Sequence, residues 1–514
     1  MAKGEHIMKQ MTLSNIAKAC NGRLVIPDKG AQKEEFQVLS RSVTADADTE
    51  ILSVTLNSRL VKAGTLFFAT IGARVDGHRF IGSAYEQGAC CVVTQKEPGQ
   101  VEEEHGVLQS EWGAYILVED TLQALKDIAE FYRSTLTIPI VGITGSVGKT
   151  STKEYIAGVL SEKYNVLKTE GNYNNEIGVP LTLLRIREEH EAAVVEMGIS
   201  DFGEMHRLSK MARPNVCVIT NIGQCHLENL KTRDGILKAK TEIFDYMAPD
   251  GEVCLNGEDD KLAAVTEVHG KKVHFFGLGE NPAEEVYAAD IVGKGLFGSD
   301  AVLHFVKQTE SEQTEAERTK PGQQIQETLP VHVTIPGVHM VTNAAAAACV
   351  GRLLGLSQEQ IAEGIRKVEP VSGRSNLIAL PKYTLIDDCY NANPVSMEAA
   401  IDLLRLADNR KIAVLGDMFE LGADYDKMHA KVGKYAAAAG IDRIICIGTD
   451  SIHMYDGAVI GGAEDVLYFE TKAQFLEKWK QEKEGLLPAD STILIKASHG
   501  MGFEEIVEEL QNSK

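Results

Sequence analysis

Residues 142–151 read Gly-Ile-Thr-Gly-Ser-Val-Gly-Lys-Thr-Ser, a run whose residue types suit the tail of a nucleotide. Its glycines let successive backbone N–H groups turn toward phosphate oxygens, and a helix starting near Lys149 would add partial positive charge. The Lys149 ammonium can then reach the β and γ phosphates, and the Thr150 hydroxyl can bind Mg²⁺. The spacing departs from the usual pattern by one residue: Gly142 falls one place early, and Ile143 stands where the first glycine is expected. Gly145, Ser146, Val147, Gly148, Lys149, Thr150 and Ser151 are the residues expected against the triphosphate.

Further polar residues close apolar runs downstream. Glu196 follows residues 192–195, and Asn221 and His226 follow the run 216–220. If both runs are strands of the sheet that carries the loop, a carboxylate and an imidazole share its edge and can ligate Mg²⁺ beside phosphate oxygens. Taken singly, Glu196 fits a helix cap as well, and His226 an ordinary surface histidine; convergence on a phosphate loop favours the metal. Lys240 poses a separate question. In a helix over residues 234–247 it shares a face with Ile236, Ile243, Phe244 and Met247, whereas Lys238 faces Asp234, Glu242 and Asp245. An unpaired buried ammonium costs several kcal/mol. Lys240 must therefore snorkel to water, meet a carboxylate, or be chemically modified.

The elements that have to position these groups show in the apolar periodicity. Residues 140–143, 192–195 and 216–220 are short apolar runs separated by helical stretches, as in a buried parallel sheet, which carries ligands at the carboxyl ends of its strands. Before them, residues 65–69 and 89–93 read as strands, and residues 121–132 as a helix with Leu122, Leu125, Ile128, Ala129 and Tyr132 on one stripe. After them, residues 384–386, 411–415, 443–447 and 492–495 alternate with helical stretches as a second doubly wound unit. The expected fold is α/β in three domains. A small N-terminal α/β domain takes residues 1–136, a central P-loop ATPase with a parallel sheet 137–371, and a Rossmann-like domain 372–514. Residues 307–328 contain almost no apolar side chain and read as a solvated loop between strands at 301–305 and 331–335.

Composition excludes several classes of function. At 514 residues the chain exceeds a single core, and 44% hydrophobic with 25% charged residues is ordinary globular composition. Fifty-two Lys plus Arg against 74 Asp plus Glu, a net charge of -22, opposes a broad grip on nucleic acid or anionic lipid. No run of about 18 apolar residues suggests membrane insertion, and a cytoplasmic monomer is expected. The nine cysteines form no CxxC pair and lie mostly in apolar runs, which reads as reduced, buried thiols.

Several motifs together carry a resemblance. In order they are Asn57-Ser58-Arg59, Asp76-Gly77-His78, the phosphate loop, residues 171–178 (GNYNNEIG), Glu196-Met197-Gly198, Asn221 with His226, and Ala239-Lys240. They continue with residues 337–343, Gly373-Arg374, residues 386–394 (IDDCYNANP) and residues 416–422 (GDMFELG). Across nearly its whole length the chain resembles the Mur ligase family of bacterial cell-wall synthesis, and DDCYNANP is similar to the stretch in its dipeptide-adding member. The DNPR-type motif of the member that adds the third amino acid is absent.

The resemblance implies an ATP-dependent amide ligase with UDP-N-acetylmuramoyl-tripeptide and D-alanyl-D-alanine as substrates, using ATP and two Mg²⁺. It implies Ser58 and Arg59 near the uridine diphosphate, Lys149 and Thr150 at the phosphates, Asn175 close to the reacting phosphate, and Glu196 and His226 on magnesium. Lys240 matches the lysine the family carbamylates, which turns a cation into an anion suited to a metal site. Asn256 and Asn343 fall among the ATP contacts, with Asn343 at the adenine, Arg374 at the γ-phosphate and Asp388 at the ribose. Asn391 and Asn393 match positions for D-alanyl-D-alanine. Met340 and His499 depart from the asparagine and arginine frequent in relatives. Other readings remain open at this stage: a related ligase adding another amino acid or a glutamate to folate, a P-loop switch or kinase, or a non-catalytic scaffold. No NKxD motif for guanine is present.

Overall fold

Apolar runs dictate where the chain is buried, and three sheets built from them organise the computed structural model, which describes residues 8–27, 45–72, 75–279, 284–308 and 324–513. The first sheet has five strands in the spatial order Arg23–Val25, Tyr115–Leu117, Ala89–Thr94, Thr65–Phe68 and Ser53–Thr55. Only its first pair is antiparallel. Every residue of Ala89–Thr94 is buried, because both faces of the sheet are covered.

The central sheet has nine strands. Six parallel ones run His274–Leu278, Glu252–Asn256, Val216–Ile219, Ile140–Thr144, Ala192–Glu196 and Val166–Lys168 across the sheet. After Ile140–Thr144 the chain goes to the edge strand Val166–Lys168, returns to Ala192–Glu196 and then crosses to Val216–Ile219 on the other side. Ile140–Thr144 thus lies at the switch point of the sheet, where ligands bind outside the strand ends.

The expected parallel sheet is present and extends further, and two other expectations need correction. The sheet is mixed, since Glu284–Gly293 joins it in parallel and then pairs antiparallel with Ser299–Gln308, which pairs antiparallel with Gln324–Val333. The predicted solvated loop at 307–328 is also partly strand, because Lys307 pairs with Ile325 and Gln308 with Gln324. Backbone pairing with a neighbouring strand overrides the polar composition there; residues 309–323 lie outside the described residues. The helix expected over 234–247 is shorter as well. It spans Arg233–Thr241 and tightens into a 3₁₀ turn over Glu242–Phe244.

The third sheet has six strands in the order Asn376–Ala379, Tyr383–Asp387, Ser491–Lys496, Arg410–Gly416, Arg443–Ile447 and Val466–Phe469. All pairs after the first are parallel.

One hydrophobic core runs from the first sheet into the central domain. Leu125, Ile128 and Ala129 on the helix Thr121–Ser134 share it with Val179, Leu183, Met205, Leu208 and Ile243. The buried Arg133 guanidinium ties the same helix down, donating to the carbonyls of Ala212 at 2.7 Å and Arg213 at 3.1 Å and to Asn215 Oδ1 at 3.1 Å. These acceptors compensate the cost of burying the charge. All nine cysteines are free, eight of them buried and Cys225 partly so. Among the described residues no helix is long and apolar enough to cross a membrane.

Candidate nucleotide and metal site

The loop between Ile140–Thr144 and the helix Lys149–Leu160 is shaped by its backbone. Gly145 has φ +154°, and a Cβ there would stand 2.0 Å from Thr220 Oγ1, so the tight approach of the loop to the neighbouring strand end requires glycine. Gly142 belongs to the strand instead, and its face packs against Met197 and Pro214. That is why it sits out of step with the usual loop pattern. The strand end after Val216–Ile219 holds the loop in shape. Asn221 accepts the Val147 N–H and donates to the Val147 carbonyl, each at 2.9 Å, and Ser146 N–H donates to the Asn221 carbonyl at 3.1 Å.

Parallel register brings Glu196 beside the loop, because Ile143 pairs with Glu196 and Thr144 with Ile219 on the two neighbouring strands. Glu196 is only 1% exposed, and its Oε2 accepts the Thr150 hydroxyl while Oε1 accepts the Asn174 amide, both at 2.9 Å. Sequence reasoning selected Asn175 at this motif. In the fold, Asn175 Oδ1 caps the start of a short helix by accepting from Ile177 N–H at 3.1 Å and Gly178 N–H at 2.9 Å. Asn175 lines the cleft described below, and Asn174, one residue earlier, reaches the carboxylate.

Lys149 Nζ donates to the Gly145 carbonyl at 2.9 Å, and burial draws its pKa down against the pull of Glu196. Lys240 is 1% exposed and, among the described residues, has no hydrogen-bond or ion-pair partner. Burial, reinforced by the nearby Lys149 charge, pushes its pKa from 10.5 down to about 8. Lys238, two residues back, is exposed. His226 has a left-handed backbone, φ +49°, at the N-terminus of the turn Leu227–Leu230, and its Nδ1 stands 2.8 Å from Glu420 Oε2 of the third domain. Burial lowers its pKa, with Glu420 opposing.

Lys149, Thr150, Asn174, Glu196, Asn221 and His226 line a cleft of about 810 Å³ that the third domain closes from the opposite side with Arg374, Asp388, Asn391 and Asn393. The Arg374 guanidinium stacks 4.0 Å over the Tyr390 ring. Asp388 accepts Ser375 N–H at 3.0 Å and pairs with the buried Lys496 at 2.6 Å, and Lys496 also donates to the Asn391 carbonyl at 2.9 Å. Asn393 is the N-cap of the helix Pro394–Arg405 and accepts Ser396 N–H at 2.9 Å. Asn343 accepts the Thr152 hydroxyl at 2.9 Å, and its amide nitrogen is 3.5 Å from Met340 Sδ. Asn256 bridges Thr220 O at 2.9 Å and Glu258 N–H at 3.0 Å, both on its own domain. His499 sits 5.5 Å from Tyr390, ring to ring.

Ser58 and Arg59 lie apart from this cleft, on a 3₁₀ turn of the first domain capped by Asn57, with Arg59 exposed. Asp76-Gly77-His78 closes on itself. The buried His78 stands 2.6 Å from Asp76 Oδ1, and Lys96 2.8 Å from Oδ2. Sequence reasoning did not single out Asn174, Tyr390, Lys496 or Glu420. Asn174, Tyr390 and Glu420 lay within quoted motifs, but what they touch, like the pairing of Lys496 with Asp388, is decided by the fold.

The chain matches the Mur ligase middle domain over residues 143–351, the Mur ligase glutamate ligase domain over 373–499 and the Mur ligase family catalytic domain over 50–133. It is 34% identical to UDP-N-acetylmuramoyl-tripeptide–D-alanyl-D-alanine ligase of Bacillus subtilis (strain 168), covering 98% of this chain and 99% of that protein. The crystal structure of MurF from Acinetobacter baumannii matches with a TM-score of 0.79 at 29% identity, covering 98% of this chain and 99% of that one. MurF ligase from Thermotoga maritima in complex with ADP matches with a TM-score of 0.72 at 26% identity, covering 89% of this chain and 97% of that one.

Proposed function

The chain belongs to the Mur ligase family, and from that premise we propose that it joins D-alanyl-D-alanine to UDP-N-acetylmuramoyl-tripeptide at the expense of ATP. The observation that carries the reading is one cleft in which the phosphate loop, Thr150 and Glu196 face Arg374, Asp388, Asn391 and Asn393 of another domain. A ligase that activates one substrate and delivers a second needs that arrangement. Residues 1–136 hold the UDP-sugar, 137–371 the ATP, and 372–514 bring the dipeptide, in the cytoplasm where both nucleotides are available.

The terminal carboxylate of the tripeptide attacks the γ-phosphorus of ATP, ADP leaves, and an acyl phosphate forms. The dipeptide amine then adds to the acyl carbon, the tetrahedral intermediate expels inorganic phosphate, and the amine proton passes to solvent. The loop amides and Lys149 offset charge on the transferring phosphoryl group, with Arg374 approaching from the third domain. Asn343 faces the adenine and Asp388 the ribose, while Ser58 and Arg59 hold the distant uridine diphosphate. Asn391 and Asn393 orient the dipeptide, and the docked third domain keeps water from the hydrolysable acyl phosphate.

The donor set fits magnesium: Thr150 and Glu196 supply hard oxygens beside a loop that only glycine can form, and His226 a nitrogen on the same cleft. Thr150, Glu196 and His226 would hold Mg²⁺, which would supply charge neutralisation at the phosphates. Lys240 fits carbamylation, because an unpaired, buried amine whose pKa is drawn from 10.5 down to about 8 keeps a far larger neutral, nucleophilic fraction near neutral pH than an ordinary lysine. Such an amine adds CO₂ and releases a proton, and the resulting anion lies near the Lys149 charge.

The test supplies ATP, Mg²⁺, D-alanyl-D-alanine and each UDP-muramoyl-tripeptide, with folate and single amino acids as competing acceptors, and weighs the products. The pentapeptide should appear only when both peptides are present. Phosphate release from ATP that ignores both of them would overturn the reading.

A further inference from the structure

Glu420 belongs to the run Gly-Asp-Met-Phe-Glu-Leu-Gly at 416–422, which the reaction above leaves without a task. The third domain fixes this loop from within. Buried Asp417 accepts the Ser451 N–H at 2.7 Å and its hydroxyl at 2.5 Å. Met418 N–H donates to Nε2 of the buried His429 at 3.0 Å, and Phe419 N–H to Ser498 Oγ at 2.9 Å. Opposite them, a Cβ on Gly448 would lie 2.3 Å from Asp417 Oδ1, so the approach leaves no room for a side chain. The outcome is a Glu420 backbone held at φ +62° with its carboxylate aimed across the domain boundary at His226. The Glu420 side chain is 63% exposed, so packing does not force it there. Two non-glycine residues in left-handed conformation, each costing on the order of 1 kcal/mol, meet at that contact.

We propose that Glu420 is a positioning residue for the cation site. Its carboxylate, 2.8 Å from Nδ1, accepts the Nδ1–H of His226, fixes that tautomer and leaves the Nε2 lone pair for the metal. The inference rests on reading His226 as a metal ligand. Because the carboxylate and the imidazole come from different domains, the site is complete only with the third domain docked. Docking and cation binding then strengthen each other by the same factor.

The experiment uses the full chain with ADP and Mn²⁺ as probes, following bound Mn²⁺ by electron paramagnetic resonance. Glu420→Ala should weaken Mn²⁺ by about 10–100-fold without changing metal-free ADP affinity. Glu420→Gln, whose amide oxygen can accept the same N–H, should recover most of that loss. His226→Ala should lose most of the Mn²⁺ affinity, and adding Glu420→Ala to it should cost nothing more. Wild-type Mn²⁺ affinity in Glu420→Ala, equal weakness in the Gln and Ala variants, additive losses in the double variant, or normal binding in His226→Ala would each overturn the proposal. None of these readouts involves the peptide substrates, so failure to form the pentapeptide is a separate result.

Discussion

Lys149 and Lys240 stand near each other in one buried site yet answer to different chemistry. Lys149 has a backbone partner and phosphate to meet; replacing it with Ala should lower kcat by about 10²–10³-fold while the thermal melt stays in place, as steady-state kinetics and calorimetry will show. Lys240 has no partner and should respond to pH. Its folded pKa of about 8 lies below the unfolded 10.5, so between those values the unfolded chain holds a proton that the folded chain has released. Stability therefore rises across that window, and the penalty is fully present below about 8. In CO₂-free buffer Lys240→Met should be more stable at pH 7 by up to roughly 3 kcal/mol, with the gain shrinking toward pH 10.5, measured by denaturant unfolding across the range. A gain that does not vary with pH would refute the buried-ammonium account. Added bicarbonate should raise wild-type activity and leave the Met variant inactive.

The helix Pro394–Arg405 makes a separable test of what Asn393 does, since capping and dipeptide contact predict different variants. Asn393→Ala should cost about 1 kcal/mol of stability through the lost cap. Asn393→Ser keeps a capping oxygen and should restore the melt; if KM for D-alanyl-D-alanine stays raised in that variant, the amide touches substrate as well. The same division between local and distant causes explains what the sequence revealed. The loop at 145–151 was legible because its chemistry is contiguous, and Glu196 because a buried run ending in a carboxylate marks a strand end. The paired strands Ser299–Gln308 and Gln324–Val333 were legible only in part, since their tips are polar and owe their form to pairing. Asn174 was lost to a turn, and the meeting of Glu420 with His226 to a separation of 194 residues across two domains. No periodicity reports on contacts of that kind.

The molecule as a whole divides unevenly. A continuous core and the Arg133 hydrogen bonds join the first two sheets, whereas both faces of the third sheet have clusters almost wholly their own, with Leu296 from the central domain packed against one. Hydrogen exchange on the full chain should accordingly show residues 8–371 opening together and 372–513 opening separately; separate exchange of the first and central sheets would contradict the shared core. That shared core has a further outcome for the choice of acceptor. With the sugar-nucleotide anchor proposed at Ser58 and Arg59 and the phosphate loop joined through one core, the gap between them would be a fixed gauge. The stem peptide has to span it, and each residue changes its reach by up to about 3.5 Å. On the proposed reading, a stem one residue short or long would still engage the anchor but present its carboxylate at the wrong mark, so acceptors would be sorted by length.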